Sequence, residues 1–426
     1  MADQKQFFDK GRVSIVSLGC ARNLVDSQEF AGRVRQRGYT IVPLPEAPAV
    51  ILNTCGFISD AREESVDAIL DLIALKKEGW IRKIIVAGCL VQRYGRELLK
   101  EFPELDALIG VPLFLKDRVP EQINLTPAHW AYVKICEGCF NFCGFCAIPR
   151  IKGPIRSRRI EAVLADVASL DREGVKEINL IGQDITAYGT DLYGERSLDL
   201  LLREIVKAAE KIEWVRLLYM FPAHVTEPLI DLIAGEERIC KYFDIPLQHI
   251  SDKLLKRMNR PMSAARIRDL LKKIRDRIPE ACLRTAFIVG LPGETKSDFE
   301  ELLDFVREMR FQRMGVFQYS REEGTPAYSM PGQVPPRVKQ ERFDILMQEQ
   351  KKISQDILKG FVGKTFKVLI DEGQEDKNLY TGRTPYDAPD VDGTVIVHSP
   401  RRLETGTFVD VRVTEALDYD LEGVAV

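Results

Sequence analysis

Three cysteines stand close together in the segment CFNFCGFC, at Cys139, Cys143 and Cys146. Zinc sites normally take four ligands and separate their two Cys pairs by about a dozen residues or more, so zinc fits poorly even with Cys136 as a fourth ligand. An iron-sulfur cube fits better, because each of its irons normally takes one cysteine. With three cysteines the fourth iron stays open, and it could bind a substrate or cofactor directly.

A second set of cysteines is spread along the first quarter of the chain. Cys20, Cys55 and Cys89 each follow directly on an apolar run, in SIVSLGC, AVILNTC and KIIVAGC. If these runs are parallel strands, their carboxyl ends face one crevice of the sheet. Buried structural cysteines are the alternative, since free Cys is among the most buried residue types. Three cysteines at equivalent strand ends favour a shared metal centre.

Three compositional regions must position these thiols. Residues 1–125 alternate short apolar runs with helical patterns, which predicts an α/β domain with a doubly wound parallel sheet. Residues 126–345 continue the alternation through six strand-like runs, which predicts an open (β/α)6 version of a parallel barrel. Residues 346–426 begin with a polar helix and end in short β-branched runs, which predicts a small antiparallel β-barrel. The six runs of the central region are YVKI, EINLIG, WVRLLY, YFDIPL, RTAFIVG and MGVFQY.

Composition narrows the protein class. The chain has 426 residues, 45% of them hydrophobic, and a formal charge of -3, so its overall charge does not call for a polyanionic partner. We find no signal peptide and no apolar run of about 18 residues, and we therefore expect a cytoplasmic protein without a membrane partner. Nine cysteines in such a chain indicate metal ligands or reactive thiols rather than a disulfide framework.

The segment CFNFCGFC resembles the CxxxCxxC motif of the radical S-adenosylmethionine (SAM) enzymes. In that family SAM chelates the open iron of a 4Fe-4S cluster and is cleaved reductively to a 5'-deoxyadenosyl radical. The resemblance implies that Phe145 lies near the adenine of SAM. The segments INLIGQD and TAFIVGLPGET resemble the later strand-end motifs of the family, which implies that Gln183, Gly290 and Gly293 line the SAM pocket.

The whole layout resembles that of the methylthiotransferases, whose C-terminal barrel is a TRAM domain. This resemblance implies two 4Fe-4S clusters and SAM as cofactors, with sulfur presented at the open iron of the N-terminal cluster. It implies no catalytic residues beyond the cluster ligands. A flavodoxin- or ferredoxin-type electron donor is implied too, and we expect a monomer. The implied metal ligands are Cys20, Cys55, Cys89, Cys139, Cys143 and Cys146.

Several further segments resemble one branch of these enzymes, which methylthiolates the β-carbon of an aspartate in the twelfth small-subunit ribosomal protein. The tRNA-modifying branch more often reads GCQMN where this chain has GCARN, and a tRNA-adenosine methylthiotransferase is the alternative. Cys136 stands where the family more often has Ser. The resembling segments are GCARNLVDS, NTCGFI, GPIRSR, GQDITAYGTDLYG, DIPLQHIS and YSREEGTPA.

The charge of the C-terminal region bears on the substrate independently. Residues 361–426 contain seven Lys and Arg against thirteen Asp and Glu, a net charge of -6. Binding an RNA backbone requires cations that neutralise phosphates, so this excess favours a basic protein. We expect the run EALDYDLE, with Asp418 and Asp420, to attract that protein. Two other classes remain open at this stage, a two-cluster electron carrier and a ribosome-binding or assembly factor.

Overall fold

A computed structural model describes residues 11–111, 123–374, 376 and 378–426. The predicted N-terminal domain, residues 1–125, therefore includes two segments, 1–10 and 112–122, that lie outside the described residues. Within the described ranges, no helix is both long and apolar enough to cross a membrane.

The N-terminal part is one parallel sheet with a short 3-10 helix at Leu44–Glu46. Its other elements are β1 (Arg12–Ser17), α1 (Ala21–Gln36), β2 (Thr40–Ile41), β3 (Ala49–Thr54), α2 (Ser59–Lys77), β4 (Lys83–Gly88), α3 (Cys89–Glu101) and β5 (Ala107–Ile109). The strand order is β2-β1-β3-β4-β5, and every pairing is parallel. In this doubly wound order the chain reverses direction across the sheet between β1 and β3, where such sheets bind ligands.

Both faces of this sheet are covered, which explains why β3 is apolar along most of its length. Ala49 and Ile51 pack with α1 on one face, whereas Val50 and Leu52 pack with α2 and α3 on the other. All six residues of β3 are buried. A strand buried on both faces is a nearly continuous apolar run rather than an alternating one. The predicted doubly wound sheet is confirmed.

The central part is a barrel of six parallel strands. Its elements are β6 (Trp130–Lys134), β7 (Cys136–Glu137), α4 (Ile148–Ile151), β8 (Arg156–Ser157), α5 (Ile160–Glu173), β9 (Glu177–Ile181), α6 (Leu198–Ala208), β10 (Trp214–Leu217), α7 (Glu227–Gly235), β11 (Tyr242–Asp244), α8 (Asp252–Arg257), α9 (Ala264–Arg277), β12 (Cys282–Val289), α10 (Lys296–Met309) and β13 (Arg313–Gln318), with 3-10 helices at Ile185–Ala187, Pro222–His224 and Pro326–Ser329.

The six strands of this barrel that the sequence predicts are β6, β9, β10, β11, β12 and β13. They form two parallel trios, β6-β9-β10 and β11-β12-β13, which are linked by a bridge between Val215 and Ile239. Among the described residues no pairing closes β6 onto β13, so the barrel is open, as predicted. β7 and β8 form a separate two-stranded antiparallel pair.

The C-terminal part is a long helix followed by a closed barrel. Its elements are α11 (Pro336–Lys359), β14 (Thr365–Gln374), β15 (Leu379–Arg383), β16 (Val395–His398), β17 (Phe408–Ala416) and β18 (Leu421–Ala425). The barrel order is β14-β15-β16-β18-β17, closed by the pairing of β14 with β17. Four of its pairings are antiparallel, and β16 pairs with β18 in parallel. The predicted domain boundary at residues 345 and 346 falls inside α11.

The β-branched runs that predict this barrel, FKVLI, TVIVH and FVDVRVTEAL, do not include β15 and β18, each of which contains a glycine. A Cβ atom on Gly382 would lie 2.4 Å from the carbonyl oxygen of Leu369, and one on Gly423 would lie 2.6 Å from that of Arg412. Glycine within a strand marks such a close approach of backbones. It also interrupts the β-branched pattern by which strands are recognised.

The C-terminal barrel is held to the central barrel by buried ion pairs. Glu177, at the start of β9, accepts a hydrogen bond from Arg216 at 2.8 Å and another from Arg383 of β15. Glu177 and Arg216 are fully buried, and Arg383 is 4% exposed. Arg383 also binds Asp371 with two hydrogen bonds. One carboxylate thus joins a cation from each of the two barrels.

The loop between β15 and β16 packs against the amino-terminal ends of β11, β12 and β13. Acidic residues of the loop make these contacts. Asp387 pairs with Arg313, and Asp392 accepts a hydrogen bond from the Tyr242 hydroxyl at 2.5 Å and lies 3.4 Å from Arg284. Asp387 and Asp392 are therefore neutralised inside the protein, whereas several other acidic residues of this region are exposed.

The acidic run EALDYDLE also makes contacts within the protein, but the Asp418 side chain is 48% exposed, so the attraction of a basic partner to this run stays a prediction. Asp418 pairs with Lys351 of α11 at 2.5 Å and accepts a hydrogen bond from Gln355. Asp420 accepts a hydrogen bond from the backbone N–H of Thr394 at 2.7 Å. These contacts join residues far apart in the chain, so the charge count alone could not reveal them.

Replacement of Glu177 by Gln tests the junction between the barrels. The change leaves Arg216 and Arg383 buried without their shared carboxylate, and breaking such a pair costs roughly 3–5 kcal/mol. We expect urea unfolding to show this loss and limited proteolysis to release the C-terminal barrel. The control is Lys367→Gln, which removes an exposed pair with Glu213 across the same junction and should cost about 1 kcal/mol or less. If the two variants had the same free energy of unfolding, Glu177 would not be the residue that holds the two barrels together.

Candidate metal and cofactor site

The N-terminal triad of cysteines lies at the carboxyl ends of three neighbouring strands. Cys20 follows β1 and precedes α1, Cys55 follows β3, and Cys89 begins α3 directly after β4. Gly19 has φ +87°, and a Cβ atom there would lie 2.8 Å from the Cβ of Cys55. Only glycine lets these two loops approach so closely.

Asn23 holds the three loops of this triad together, and the sequence analysis did not single it out. Its side-chain amide donates to the carbonyl oxygens of Leu18 at 3.0 Å and Thr54 at 3.1 Å. Its side-chain oxygen lies 3.6 Å from the Cys89 sulfur. Asn23 is 1% exposed. Its position, in the first turn of α1 and three residues after Cys20, is the sequence signal that could have identified it.

The second triad lies in a loop between β7 and α4, at the carboxyl end of β6. The backbone N–H of Asn141 is 3.4 Å from the Cys139 sulfur, and the N–H of Gly144 donates to the carbonyl of Met258 at 2.8 Å. The side chain of Asn259 donates to the carbonyls of Asn141 and Phe142. The end of α8 therefore fixes the shape of this cysteine loop.

Both triads line a single cavity of about 250 Å³. The two sets of thiols are thus brought together although they belong to different sheets. Phe145 and Gln183, which the resemblance to radical SAM enzymes implies for the SAM pocket, line the same cavity. Its remaining walls include the apolar side chains of Phe57, Ile148, Met220 and Phe221. The six cysteines that line it are Cys20, Cys55, Cys89, Cys139, Cys143 and Cys146.

Three of the residues considered in the sequence analysis lie outside this cavity. The N–H of Gly290 donates to the Glu294 carboxylate at 2.7 Å, and a Cβ atom on Gly290 would lie 2.3 Å from the Lys339 side chain. Gly293 packs beside Arg257 instead. Both glycines lie in the turn that precedes α10, where they contact Glu294, Lys339 and Arg257 rather than the cysteines. Cys136 is buried, and its sulfur lies 3.7 Å from the Asp184 carbonyl oxygen.

The cavity is cationic. Arg22, Lys152 and Arg260 line it, and among the described residues no Asp or Glu does. Arg260 lies 3.6 Å from the Cys143 sulfur, and its guanidinium stands over the ring of Phe221 at 4.3 Å. These cations would offset the negative charge of thiolates bound to a metal.

Lys152 is held by a buried network of four charges that joins the N-terminal sheet to the central barrel. Asp26 of α1 binds Lys134 and, at 2.8 Å, Lys152. Glu137 of β7 lies 2.8 Å from Lys134 and 3.5 Å from Lys152. All four side chains are at most 3% exposed. Buried charges of this kind are tolerated when they are paired and hydrogen-bonded.

The thiols differ in how easily they lose a proton. Burial raises the pKa of Cys89 and of Cys146 to about 12 and that of Cys139 to about 11. Burial also acts to raise the pKa of Cys20, but the neighbouring Arg22 guanidinium outweighs it, and that pKa is lowered. Most of these thiols therefore bind a metal only by exchanging their protons for it.

The donor set fits iron-sulfur clusters better than single metal ions. Sulfur-only ligation selects zinc, copper(I) or iron-sulfur clusters. Within the described ranges, no three His, Cys, Asp or Glu side chains are grouped so that they could hold one ion. In an iron-sulfur cube each cysteine binds a different iron, so wider spacing of the thiols is expected. Cys20, Cys55 and Cys89 could hold one cluster, and Cys139, Cys143 and Cys146 another.

Three family profiles match successive parts of the chain. Residues 12–110 match the uncharacterized protein family UPF0004, residues 133–306 match the radical SAM superfamily, and residues 362–426 match the TRAM domain.

Curated proteins match over nearly the whole length. The ribosomal protein uS12 methylthiotransferase RimO of Syntrophotalea carbinolica is 44% identical, over 98% of this chain and 97% of its own length. The proteins of the same name from Clostridioides difficile and Geotalea uraniireducens are 43% and 45% identical, with 97% and 98% of this chain covered and 98% and 99% of theirs.

A solved structure shares the fold at low identity. The radical SAM methyltransferase TsrM from Kitasatospora setae, with tryptophan and a SAM analogue bound, has a TM-score of 0.55 and 12% identity. The match covers 86% of this chain and 79% of that one.

The buried network makes a prediction about acid stability. Burial acts to raise the pKa of Glu137, but Lys134 and Lys152 outweigh it and lower the pKa to about 2, against an ordinary value of 4.5. Its stabilising contribution is therefore present above about pH 4.5 and is lost as the pH falls toward 2. We expect the wild type to lose about 2 kcal/mol more than Glu137→Gln between pH 5 and pH 3 in urea unfolding.

The matched control for this measurement is Glu204→Gln, which changes an exposed carboxylate paired with Lys207. Its pH dependence should follow that of the wild type. An equally steep loss of stability in Glu137→Gln would show that the Glu137 carboxylate is not stabilised by this network.

Proposed function

The chain belongs to the RimO family of radical SAM methylthiotransferases, and we propose that it methylthiolates the β-carbon of an aspartate in ribosomal protein uS12, the twelfth protein of the small subunit. The relatives that carry this name match over at least 97% of this chain in the three comparisons above. We further propose that it uses two 4Fe-4S clusters, SAM and a flavodoxin- or ferredoxin-type reductant, and that it acts in the cytoplasm.

The observation that carries this proposal is the common cavity of the two cysteine triads. Transfer of a methylthio group to an unactivated carbon needs a radical source and a sulfur donor within reach of one substrate atom. When bound, the clusters and SAM supply that radical and sulfur chemistry, which side-chain acids and bases cannot perform. A cavity of about 250 Å³ with three thiols from each triad on its wall fits this requirement.

The protein's own contribution is to close and neutralise this space. Glu322, 2% exposed, binds both Arg62 of α2 and Arg93 of α3 and so ties the segment after β13 to the N-terminal sheet. The apolar walls limit water, which strengthens electrostatic interactions inside. Arg22, Lys152 and Arg260 supply positive charge where thiolates and a carboxylate of SAM would gather.

The proposed division of roles between the triads can be separated by mutation. Cys143→Ala should remove one cluster and abolish the formation of deoxyadenosine from SAM. Cys55→Ala should leave part of the SAM cleavage and abolish methylthio transfer. In each variant the iron content should fall from about eight to about four per chain. Equal loss of both activities in both variants would contradict the division; Cys240→Ala, a buried cysteine outside the cavity, is the control.

The substrate is tested most directly by mass spectrometry of uS12 from cells with and without this chain. We expect the methylthio group on one aspartate of uS12 only when the chain is present. Purified tRNA should remain unmodified in a parallel assay. Methylthiolated tRNA together with unmodified uS12 would establish the tRNA-adenosine alternative.

Recognition by the outer face of the C-terminal barrel can be tested by charge reversal. Asp410 and Glu415 of β17 are exposed, as is Asp418, which pairs with Lys351. The double variant Asp410→Lys, Glu415→Lys should modify uS12 more slowly, because repulsion replaces attraction to a basic protein, and the deficit should shrink as salt rises. SAM cleavage without uS12 should be unchanged.

The control is Glu300→Lys, Asp304→Lys on α10, which changes the net charge equally on a different surface. A similar deficit in both double variants would show that only the net charge matters. No deficit in the β17 variant would remove this face from substrate recognition.

A further inference from the structure

Arg22 is a cation in the cavity wall that has no carboxylate partner within the described residues. Its Nε lies 3.5 Å from the Cys20 sulfur, and one Nη donates to the carbonyl of Gly182 at 3.1 Å. The guanidinium stands over the ring of Tyr219 at 4.4 Å. A guanidinium carries five N–H donors, so several of them remain for a ligand in the cavity.

Arg22 lies in the wall of the cavity that both triads line. It contacts Cys20 of the N-terminal triad, with its Nε 3.5 Å from the sulfur. The two other cations of the cavity are placed differently. Lys152 is already paired with Asp26 and Glu137, whereas Arg260 contacts Cys143 and the carbonyl of Pro246.

The backbone beneath Arg22 is held in an uncommon conformation. Tyr219, whose ring lies under the guanidinium, has φ +67°, a left-handed value that is costly for a bulky residue. The carboxylate of Asp244 accepts a hydrogen bond from the Tyr219 N–H at 2.8 Å and stabilises this conformation. Strain of this kind persists where the surrounding structure imposes it, and here it fixes the ring that supports Arg22.

We propose that Arg22 binds the side-chain carboxylate of the substrate aspartate and thereby places its β-carbon between the two triads. This inference rests on the proposed function, in which an aspartate is the modified residue. A carboxylate that leaves water for this cavity needs a charged, hydrogen-bonding partner. A guanidinium can hold it through two parallel hydrogen bonds, which fixes orientation as well as position. The carboxyl carbon is bonded directly to the β-carbon, so holding one orients the other.

SAM also carries a carboxylate, and its binding is the competing role for Arg22. By resemblance to the radical SAM enzymes, SAM is chelated at the open iron of the second cluster. Arg260 stands beside Cys143 of that triad, whereas Arg22 contacts Cys20 of the other one. The geometry therefore favours the substrate as the carboxylate bound by Arg22, and the affinity for SAM distinguishes the two.

The test compares uS12-derived peptides that carry Asp or Asn at the modified position. Equilibrium binding to the reconstituted holoenzyme is measured by fluorescence anisotropy, so the readout does not depend on turnover. We expect the wild type to prefer the Asp peptide by about tenfold or more, as a charge-assisted bond implies. In Arg22→Gln the ratio should fall close to one, and in Arg22→Lys it should be intermediate. Iron content and SAM affinity are measured for each variant, and the peptide ratios are compared at equal cluster content.

The control is Arg33→Gln, a similar replacement on the same helix at a residue that pairs with Glu29 away from the cavity. It should keep the wild-type ratio. A wild-type ratio near one, or an unchanged ratio in Arg22→Gln, would overturn the assignment. Loss of SAM affinity with an unchanged peptide ratio would assign Arg22 to SAM instead. A wild type that binds neither peptide and leaves uS12 unmodified would refute the proposed function and this inference with it.

Discussion

The buried carboxylate of Asp26 joins the two halves of the site, and the common cavity depends on it. Asp26 belongs to the helix that begins directly after Cys20, whereas its partners Lys134 and Lys152 flank the loop that carries the second triad. Glu137 completes the network, so two cations and two anions balance in a space that excludes water. Ion pairs need not add net stability when buried, but they are costly to break. They therefore fix the position of one triad against the other.

Buried ion pairs also join the C-terminal barrel to the central one. Glu177 binds cations from both barrels, and the loop after β15 brings acidic residues to arginines at the base of the central barrel. Part of the acidity of the C-terminal region thus serves to hold the protein together. Other acidic residues are exposed to a partner, among them Asp410 and Glu415 on the outer face of β17.

The cavity between these junctions combines thiols with cations that share carboxylates or, as far as the structure describes the chain, pair with none. Burial disfavours thiolates, so most of the cysteines release protons only in exchange for a metal. Arg22 is the exception that favours a thiolate at Cys20. A cationic wall that has no carboxylate among the described residues suits a site that must gather sulfur, SAM and an acidic side chain. The positive charge of the wall and the spacing of the thiols both serve to bring these groups together at one place.

Local patterns in the sequence determined the main strands and helices of the three parts, though not β15 and β18, and the six cysteines of the candidate site. Strand-helix alternation predicted that Cys20, Cys55 and Cys89 lie at one edge of a sheet, because parallel strands place their carboxyl ends together. The tertiary structure alone decided which other residues join them. Lys152 reaches Asp26 across 126 positions of the chain, Gly290 turns toward Lys339, and Asp418 toward Lys351. Such contacts arise from packing between separate sheets and leave no periodic signal in either partner. Composition shows how many charges a region has, but only folding decides which of them face each other and which face water.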